Sequence, residues 1–311
     1  MTAAARYVVA GGTGLIGRRL VAAWLAEGAE VTVLSRAAEP AGLPAGARAA
    51  HWDGRTVGAW ADCLEGADGV VNLAGANVGE GRWTQQRKQR LRASRVEPTR
   101  ALVAAFERVS RRPRALLQAS AVGYYGDRGD ELLGDEATRG RGFLPELCRD
   151  WELESAAAER LGVRRVLLRT GIVLAREGGA LAKMLPAFRL GVAGALGDGR
   201  QWFSWIHLDD CVAAIRFLAE GSALRGAVNV MAPEPVTNAE LTRTLARACR
   251  RPARLRLPAP VLRLLFGEMA EVLLGGQRAV PERLSAAGFR FAHPRIDDAL
   301  AALLAPARAR R

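Results

Sequence analysis

Near the amino terminus stands the stretch Tyr7-Val8-Val9-Ala10-Gly11-Gly12-Thr13-Gly14-Leu15-Ile16-Gly17, which decides the fold of this chain of 311 residues. A short apolar strand runs into a turn punctuated by glycines and then into an amphipathic helix. Glycine tolerates the positive φ of a tight turn, and its bare Cα lets a phosphate approach the backbone. The amides at the start of the helix would face that anion. A second strand, Glu30–Leu34, follows Gly28, so the stretch predicts a βαβ unit that holds a dinucleotide.

Composition limits the class of protein. Half of the residues are apolar, which suffices for an α/β core with a smaller appended region. No uncharged apolar run reaches the roughly 18 residues of a membrane span, and the first strand begins too early for a signal peptide to precede it. We therefore expect a cytoplasmic protein with no membrane partner. The four cysteines and three histidines are scattered, so neither a disulfide framework nor a metal site is predicted.

The net charge of +13 raises the question of a nucleic-acid partner. Two of the 45 basic residues are lysine, Lys88 and Lys183, so the other 43 are arginine, and they are spread along nearly the whole chain. This distribution is typical of a compositional bias rather than of one binding surface, so no specific nucleic-acid partner is expected. The densest stretch, Arg82 to Arg100, is either a solvated helix face or a place where a cofactor phosphate lies.

Strands and helices alternate up to Thr170, which predicts an α/β fold with a Rossmann-like, doubly wound parallel sheet. Residues 1–170 form the predicted dinucleotide-binding core, to which residues 205–232 return. Residues 171–204 and 233–311 form a smaller, mainly helical C-terminal region that completes a substrate pocket.

Two features of the predicted helices are specific enough to check. Pro98 is expected to begin a helix or kink a pair, separating Trp83–Arg95 from Pro98–Val109, because proline cannot donate the backbone hydrogen bond of a helix interior. A further helix is predicted from about Leu144 to Leu161.

The end of the second strand indicates which dinucleotide is held. The strand closes with Leu34-Ser35-Arg36. An acidic residue there would bind the ribose hydroxyls of NAD, whereas arginine pairs with the 2′-phosphate of NADP. Ser35 and Arg36 therefore favour NADP(H). The alternative is that Arg36 is one more member of an arginine-rich surface.

Several motifs, taken in order, resemble the short-chain dehydrogenase/reductase superfamily. The chain is most similar to its extended, sugar-nucleotide-epimerase-like branch, in the atypical subgroup called epimerase family proteins. The resemblance covers essentially the whole chain. It rests on Gly11–Gly17, Asn72-Leu73-Ala74-Gly75, Gly123-Tyr124-Tyr125-Gly126, Leu168-Arg169-Thr170-Gly171, Trp205-Ile206-His207-Leu208-Asp209-Asp210 and Gly288-Phe289-Arg290-Phe291.

The resemblance implies NADP(H) lying over the strand ends of a Rossmann-like domain. It places Ser35 and Arg36 at the 2′-phosphate, and it makes Arg95 and Arg169 further contacts of the cofactor. The remaining contacts that it implies lie at the pyrophosphate and beneath the adenosine half, and they are Gly11, Thr13, Gly14, Leu15, Ile16, Leu73, Ala74 and Gly75.

The usual catalytic pair of the superfamily is missing from this chain. Its enzymes use Tyr-x-x-x-Lys, in which the lysine ammonium lowers the pKa of the tyrosine. The family order instead places Cys148 and Glu152 there, and a carboxylate has the wrong sign for that role. The remaining candidates are Ser120, Tyr124 and Tyr125, although the two tyrosines could equally be packing in a pocket wall.

Two functions remain open on these observations. The first is an NADP(H)-dependent oxidoreductase or epimerase-like enzyme with a non-standard active site and an unidentified small-molecule substrate. The second is a protein that binds NADP(H) as a sensor or scaffold without catalysis. The sequence does not indicate an oligomeric state. His207, which precedes Asp209 and Asp210, is expected to form structural hydrogen bonds rather than act as a base.

Overall fold

The computed structural model describes residues 4–305, which contain thirteen strands. The strands are β1 (Arg6–Ala10), β2 (Glu30–Ser35), β3 (Arg48–His51), β4 (Gly69–Asn72), β5 (Ala115–Ala121), β6 (Leu132–Leu133), β7 (Arg164–Thr170), β8 (Ile172–Leu174), β9 (Trp202–Phe203), β10 (Trp205–His207), β11 (Gly226–Val230), β12 (Val236–Thr237) and β13 (Arg278–Ala279). Residues 1–3 and 306–311, at the ends of the two predicted regions, lie outside the described residues.

Seven of the strands form one parallel sheet in the order β11-β7-β5-β4-β1-β2-β3. The first strand therefore lies inside the sheet, and the chain winds outward from it in both directions. This is the nucleotide-binding order of a doubly wound fold with one strand added beyond β7. The predicted fold class is confirmed. The carboxyl ends of β1 and β4 lie side by side, since Ala10 is in register with Asn72.

Eleven α-helices lie in the described part of the chain. They are α1 (Leu15–Ala26), α2 (Gln85–Ala105), α3 (Phe143–Glu154), α4 (Ala157–Arg160), α5 (Gly179–Arg189), α6 (Leu208–Glu220), α7 (Asn238–Cys249), α8 (Ala259–Phe266), α9 (Glu271–Leu274), α10 (Glu282–Ala286) and α11 (Ile296–Leu304).

Successive side chains of each strand point to opposite faces of the sheet, so the core consists of two layers. On β1, Val9 faces α1 and α6, whereas Val8 faces α2 on the other side of the sheet. This follows from the period of two in a strand, and it explains why the central strands are apolar throughout. Helices α5, α7 and α11 pack around Trp205 in a third cluster within the C-terminal half.

Two predicted helix boundaries were wrong. The stretches expected on either side of Pro98 form the single helix α2, with Pro98 inside it and buried. The helix expected from about Leu144 to Leu161 is divided into α3 and α4. No helix within residues 4–305 has the length and apolarity to cross a bilayer.

Candidate cofactor site and active site

In the glycine turn after β1, neighbouring backbone atoms leave no space for side chains at two positions. Gly11 has a φ of +78°, and a Cβ placed on it would lie 2.8 Å from the carbonyl carbon and oxygen of Leu73. A Cβ on Gly17 would overlap the carbonyl oxygen of Gly11. The amide of Gly14 donates to that same oxygen at 3.0 Å, which closes the turn. The structure therefore requires glycine at positions 11 and 17.

Helix α1 presents an uncapped amino terminus beside this turn. Gly14 precedes the helix, no side chain caps it, and its first turn contains no acidic residue. The first amides of a helix have no intrahelical acceptor, and they carry the positive end of the helix dipole. Thr13 and Gly14 are exposed, and Leu15 and Ile16 are partly exposed. These residues fit a pyrophosphate, and their contact with one stays a prediction.

At the end of β2, one arginine is available for a second anion. Arg36 is exposed, and within residues 4–305 its side chain makes neither an ion pair nor a hydrogen bond. The neighbouring Ser35 hydroxyl accepts a hydrogen bond from the amide of Ala37 at 3.1 Å. Leu34 is in register with Ala10 of β1, so Arg36 lies next to the glycine turn.

The chain after β4 is positioned by a buried asparagine. Asn72 Nδ2 donates to Thr99 Oγ1 and to Gln118 Oε1, both at 3.0 Å. Its Oδ1 accepts from the amide of Ala74 at 3.2 Å. Leu73, Ala74 and the exposed Gly75 thus leave the sheet in a fixed direction beside the glycine turn, where a nucleotide can lie on them.

Arg95 is a buried cation without an acidic partner in the described residues. Its side chain is on α2, and the residue is 8 % exposed. The guanidinium donates to the carbonyl oxygens of Leu91 at 3.0 Å and Ala76 at 2.9 Å, and it lies 5.0 Å from the ring of Trp151. Burial lowers the pKa of Arg95 to about 10, so it remains charged at neutral pH.

This cation lies directly behind the candidate nucleotide site. A Cβ on Gly75 would be 3.2 Å from Cζ of Arg95. A buried charge that is compensated only by neutral groups attracts anions more strongly than an exposed one, because little water screens it. Arg95 therefore gives this edge of the sheet a positive potential, and its direct contact with the cofactor stays a prediction.

Arg169 has very different surroundings. Its Nε and Nη2 donate to Oε1 and Oε2 of Glu152 at 2.9 and 3.0 Å, in a bidentate ion pair. Its Nη1 donates to the Asp135 carbonyl oxygen at 3.1 Å and contacts the Tyr125 hydroxyl at 3.2 Å. The guanidinium also lies 3.5 Å from the centre of the Tyr124 ring. All three nitrogens are thus engaged within the protein, and the predicted cofactor contact would have to compete with these bonds.

Glu152, at the expected position of the lysine, instead connects Arg169 to the serine candidate. The Ser120 hydroxyl, 5 % exposed at the end of β5, donates to Glu152 Oε1 at 2.6 Å. The charge reversal at position 152 is visible in the sequence, but the ion pair between Glu152 and Arg169 was not predicted. Only their opposite charges could have suggested it, because the two residues are 17 positions apart.

The other catalytic candidates are less well placed to react. Burial raises the pKa of the Cys148 thiol to about 12, and the nearby Glu152 carboxylate adds to that effect. Tyr125 is fully buried, and its hydroxyl donates to Asn229 Oδ1 at 2.7 Å. Burial also raises the pKa of Tyr125. Cys148 is therefore a protonated core residue, and Tyr125 is a core residue as well. Ser120 and the half-buried Tyr124 remain as catalytic candidates.

Comparison with known proteins identifies the family of this chain. Residues 7–230 match the family model described as the NAD dependent epimerase/dehydratase family. Residues 257–303 match a second model, a domain of unknown function named DUF1731.

Relatives match nearly the full chain. An epimerase family protein of Mycobacterium bovis is 44 % identical over 293 residues, covering 94 % of this chain and 95 % of its own. An Arabidopsis thaliana protein, named as the chloroplastic homolog of the epimerase family protein SDR39U1, is 37 % identical over 301 residues, covering 95 % and 86 %.

A solved structure is similar over the same extent. The crystal structure of human epimerase family protein SDR39U1 (isoform 2) with NADPH superposes with a TM-score of 0.86 at 32 % identity, covering 96 % of this chain and 99 % of that one. The chain therefore belongs to the NAD dependent epimerase/dehydratase family, among the atypical short-chain dehydrogenase/reductases called epimerase family proteins.

Proposed function

We propose that the protein binds NADP(H) and acts as an oxidoreductase or epimerase-like enzyme on a small-molecule substrate. The observation that carries the cofactor choice is Arg36, an exposed guanidinium without a protein partner in residues 4–305, at the strand end where the 2′-phosphate would lie. The human relative whose structure contains NADPH supports the same choice.

The residues that would hold the cofactor form three groups. Gly11, Thr13, Gly14, Leu15 and Ile16 would bind the pyrophosphate through backbone amides and close approach. Ser35 and Arg36 would bind the 2′-phosphate. Leu73, Ala74 and Gly75 would support the adenosine half, with the charge of Arg95 behind them.

Ser120 and Glu152 would move the substrate proton. When bound, NADPH supplies a hydride, and NADP⁺ accepts one. In the direction of alcohol oxidation, Ser120 Oγ accepts the substrate's hydroxyl proton while its own proton passes to Glu152 Oε1, 2.6 Å away. Arg169 keeps the carboxylate in place through both oxygens. Tyr124 would line the pocket beside them.

The alternative function is a non-catalytic NADP(H) sensor or scaffold. It is favoured by Glu152, which stands where enzymes of the superfamily place a catalytic lysine. The Glu152 carboxylate is already bonded to Arg169 and Ser120. The two functions differ only in turnover. A screen of alcohols and carbonyl compounds that follows nicotinamide absorbance, with Ser120→Ala as the comparison, separates them once a substrate is found.

Cofactor choice is tested by thermal stabilisation with NADPH and NADH. For the wild type we expect NADPH to bind about ten- to a hundredfold more tightly, which is the range that one charge-assisted hydrogen bond contributes. Arg36→Asp should abolish that difference. Arg108→Asp is the matched control, because Arg108 is exposed on the loop that leads to the opposite, amino-terminal edge of the sheet. Equal stabilisation of the wild type by both cofactors would remove the NADP(H) assignment.

A further inference from the structure

Exposed apolar side chains are concentrated on one surface of the C-terminal half. Nine large apolar residues are exposed in residues 4–305, and seven of them lie in two adjoining segments. We call these seven the leucine patch. Leu190 and Leu264 are the most exposed, at 76 % and 75 %. The patch comprises Leu190, Val192, Leu255, Leu257, Val261, Leu264 and Leu265.

Backbone contacts bring the two segments together. The amide of Leu257 donates to the carbonyl oxygen of Ala195 at 3.1 Å, and the amide of Gly197 donates to that of Leu257 at 2.9 Å. The backbone at Leu255 passes so close to Gly194 that a side chain at position 194 would overlap it. The two segments that carry the patch are therefore adjacent in the fold, although its members are up to 75 positions apart in the chain.

Helix α8 contributes three members of the patch from one face. Val261, Leu264 and Leu265 have the i, i+3, i+4 spacing of neighbours on a helix surface. Leu262, one position along, is buried and anchors one flank of the helix to the protein. The helix thus presents apolar residues outward beside the flank by which it packs, an arrangement that soluble helices rarely show without a partner.

The two segments that carry the patch contain only positive charges. Residues 178–197 and 249–267 contain no aspartate or glutamate. Six exposed arginines lie there instead, and none of them forms an ion pair within residues 4–305: Arg189, Arg250, Arg251, Arg254, Arg256 and Arg263. A second copy of the chain docking on this surface would bring arginines against arginines, which is unfavourable.

We propose that the leucine patch docks this protein on the surface of a lipid bilayer that contains anionic phospholipids. An apolar helix face rimmed by arginines fits the boundary between headgroups and acyl chains, where leucines enter the hydrocarbon and guanidiniums pair with phosphates. The protein lies on the membrane and does not span it. This departs from the sequence-based expectation of no membrane partner, which considered only membrane-spanning runs.

Sedimentation with lipid vesicles tests the proposal on the full chain. We expect binding to vesicles of phosphatidylcholine and phosphatidylglycerol to be at least about tenfold stronger than to phosphatidylcholine alone, because each arginine near an anionic surface adds to the affinity. Leu264→Ser/Leu265→Ser and Arg256→Gln/Arg263→Gln should each reduce that binding about tenfold or more. All four positions are exposed, so thermal melting should show folded variants.

Matched controls separate the patch from the overall charge. Leu132→Ser/Leu153→Ser removes the two exposed leucines that lie elsewhere, and Arg108→Gln removes a distant exposed arginine; both should bind like the wild type. Unchanged binding of the Leu264/Leu265 variant would show that the net charge alone attracts the protein, and it would overturn the proposal. A dimer in light scattering that the same variant dissociates, with no vesicle binding by the wild type, would assign the patch to a second copy.

Discussion

At the scale of single residues, Glu152 carries a negative charge where the resemblance to the superfamily predicts a lysine. A lysine there would lower the pKa of a neighbouring phenol. Glu152 instead accepts a hydrogen bond from the Ser120 hydroxyl and forms an ion pair with the Arg169 guanidinium. Both charged side chains are nearly inaccessible, at 7 % and 9 % exposure. Glu152 and Arg169 therefore form a buried structural ion pair, because removing either partner leaves the other as an unpaired buried charge.

A double-mutant cycle measures the interaction free energy of Glu152 and Arg169. Arg169→Met should lower the free energy of unfolding by about 3–5 kcal/mol, because Glu152 is left as an unpaired buried charge. Glu152→Met alone should also be costly, because it leaves the Arg169 charge unpaired, and the double variant should lose much less than the sum of the two single losses. The difference gives a coupling of about 2 kcal/mol or more. Urea denaturation of the wild type and the three variants at neutral pH measures these values.

The exposed pair Arg55–Glu97 provides the control, since its Nε–Oε2 distance of 2.7 Å resembles that of the buried pair. Arg55→Met should cost less than about 1 kcal/mol, because water screens the charges. A similar cost for Arg55→Met and Arg169→Met would contradict the assignment of Arg169 to a structural ion pair.

At the scale of elements, helix α6 begins with a histidine cap. His207 Nδ1 accepts a hydrogen bond from the amide of Asp209 at 3.0 Å, so the ring must be unprotonated at that nitrogen. The structural role predicted for His207 is confirmed. Burial, together with His293 at a ring distance of 4.0 Å, lowers the pKa of His207 from its ordinary 6.5, although Asp209, Asp210 and Glu177 oppose the shift.

This lowered pKa makes the cap sensitive to acid. Between the folded and ordinary pKa values, the unfolded chain binds a proton at His207 more readily than the folded protein does, so stability falls as the pH falls through 6.5. His207→Asn keeps a good capping residue and removes the titrating group. We expect the variant to lose less stability than the wild type between about pH 7 and pH 5.

Chemical denaturation at several pH values measures the difference in slope. His51→Asn is the control, because His51 is exposed on β3 and should leave the slope unchanged. Identical slopes for His207→Asn and the wild type would show that another group causes the acid sensitivity.

Helix α2 continues through Pro98, where the sequence predicted a helix boundary. Proline in a helix interior costs about 3 kcal/mol, which predicted a break at Pro98. In the structure, α2 continues because Leu91 on one side and Leu102 on the other are both fully buried in the protein. Thr99 Oγ1 donates to the carbonyl oxygen of Arg95 at 2.7 Å, one turn earlier. Tertiary packing outweighed the local penalty, and that packing is not visible in the sequence of the helix.

At the scale of the whole molecule, one buried asparagine joins the sheet to the C-terminal region. Asn229 on β11 accepts from the Tyr125 hydroxyl, and its Nδ2 donates to the carbonyl oxygen of Val280 at 2.9 Å. Its own amide donates to Asp135 Oδ1 at 2.6 Å. Asp135 Oδ2 accepts from the amide of Arg283 at 3.0 Å. These bonds connect segments far apart in sequence, so the two regions should unfold together.

Asn229→Ala tests this coupling. The change leaves buried hydrogen-bonding groups unsatisfied and should lower the free energy of unfolding by about 1–3 kcal/mol. Far-ultraviolet circular dichroism and tryptophan emission should shift together in one transition. Asn77→Ala, at an exposed loop asparagine, should stay within about 0.5 kcal/mol of the wild type. Two separated transitions in the wild type would show that the C-terminal region unfolds on its own.

The sequence predicted those parts of the site that depend on neighbouring residues. The turn from Gly11 to Gly17 and the terminus of β2 at Arg36 are local patterns with a direct physical meaning, and the structure places them side by side. The pairing of Glu152 with Arg169, and that of Asp135 with the amide of Asn229, depend on contacts between distant elements. Opposite charge makes such pairs possible, but nothing local selects one partner among 43 arginines.

The two ends of the candidate cofactor site differ in how freely they can evolve. Gly11 and Gly17 touch backbone atoms, so any other residue there disturbs the first strand and its helix together. Arg36 is exposed, and a single substitution there alters charge without disturbing packing. We therefore expect descendants of this sequence to be able to change their dinucleotide preference through Arg36 in few steps, while the glycine turn remains fixed.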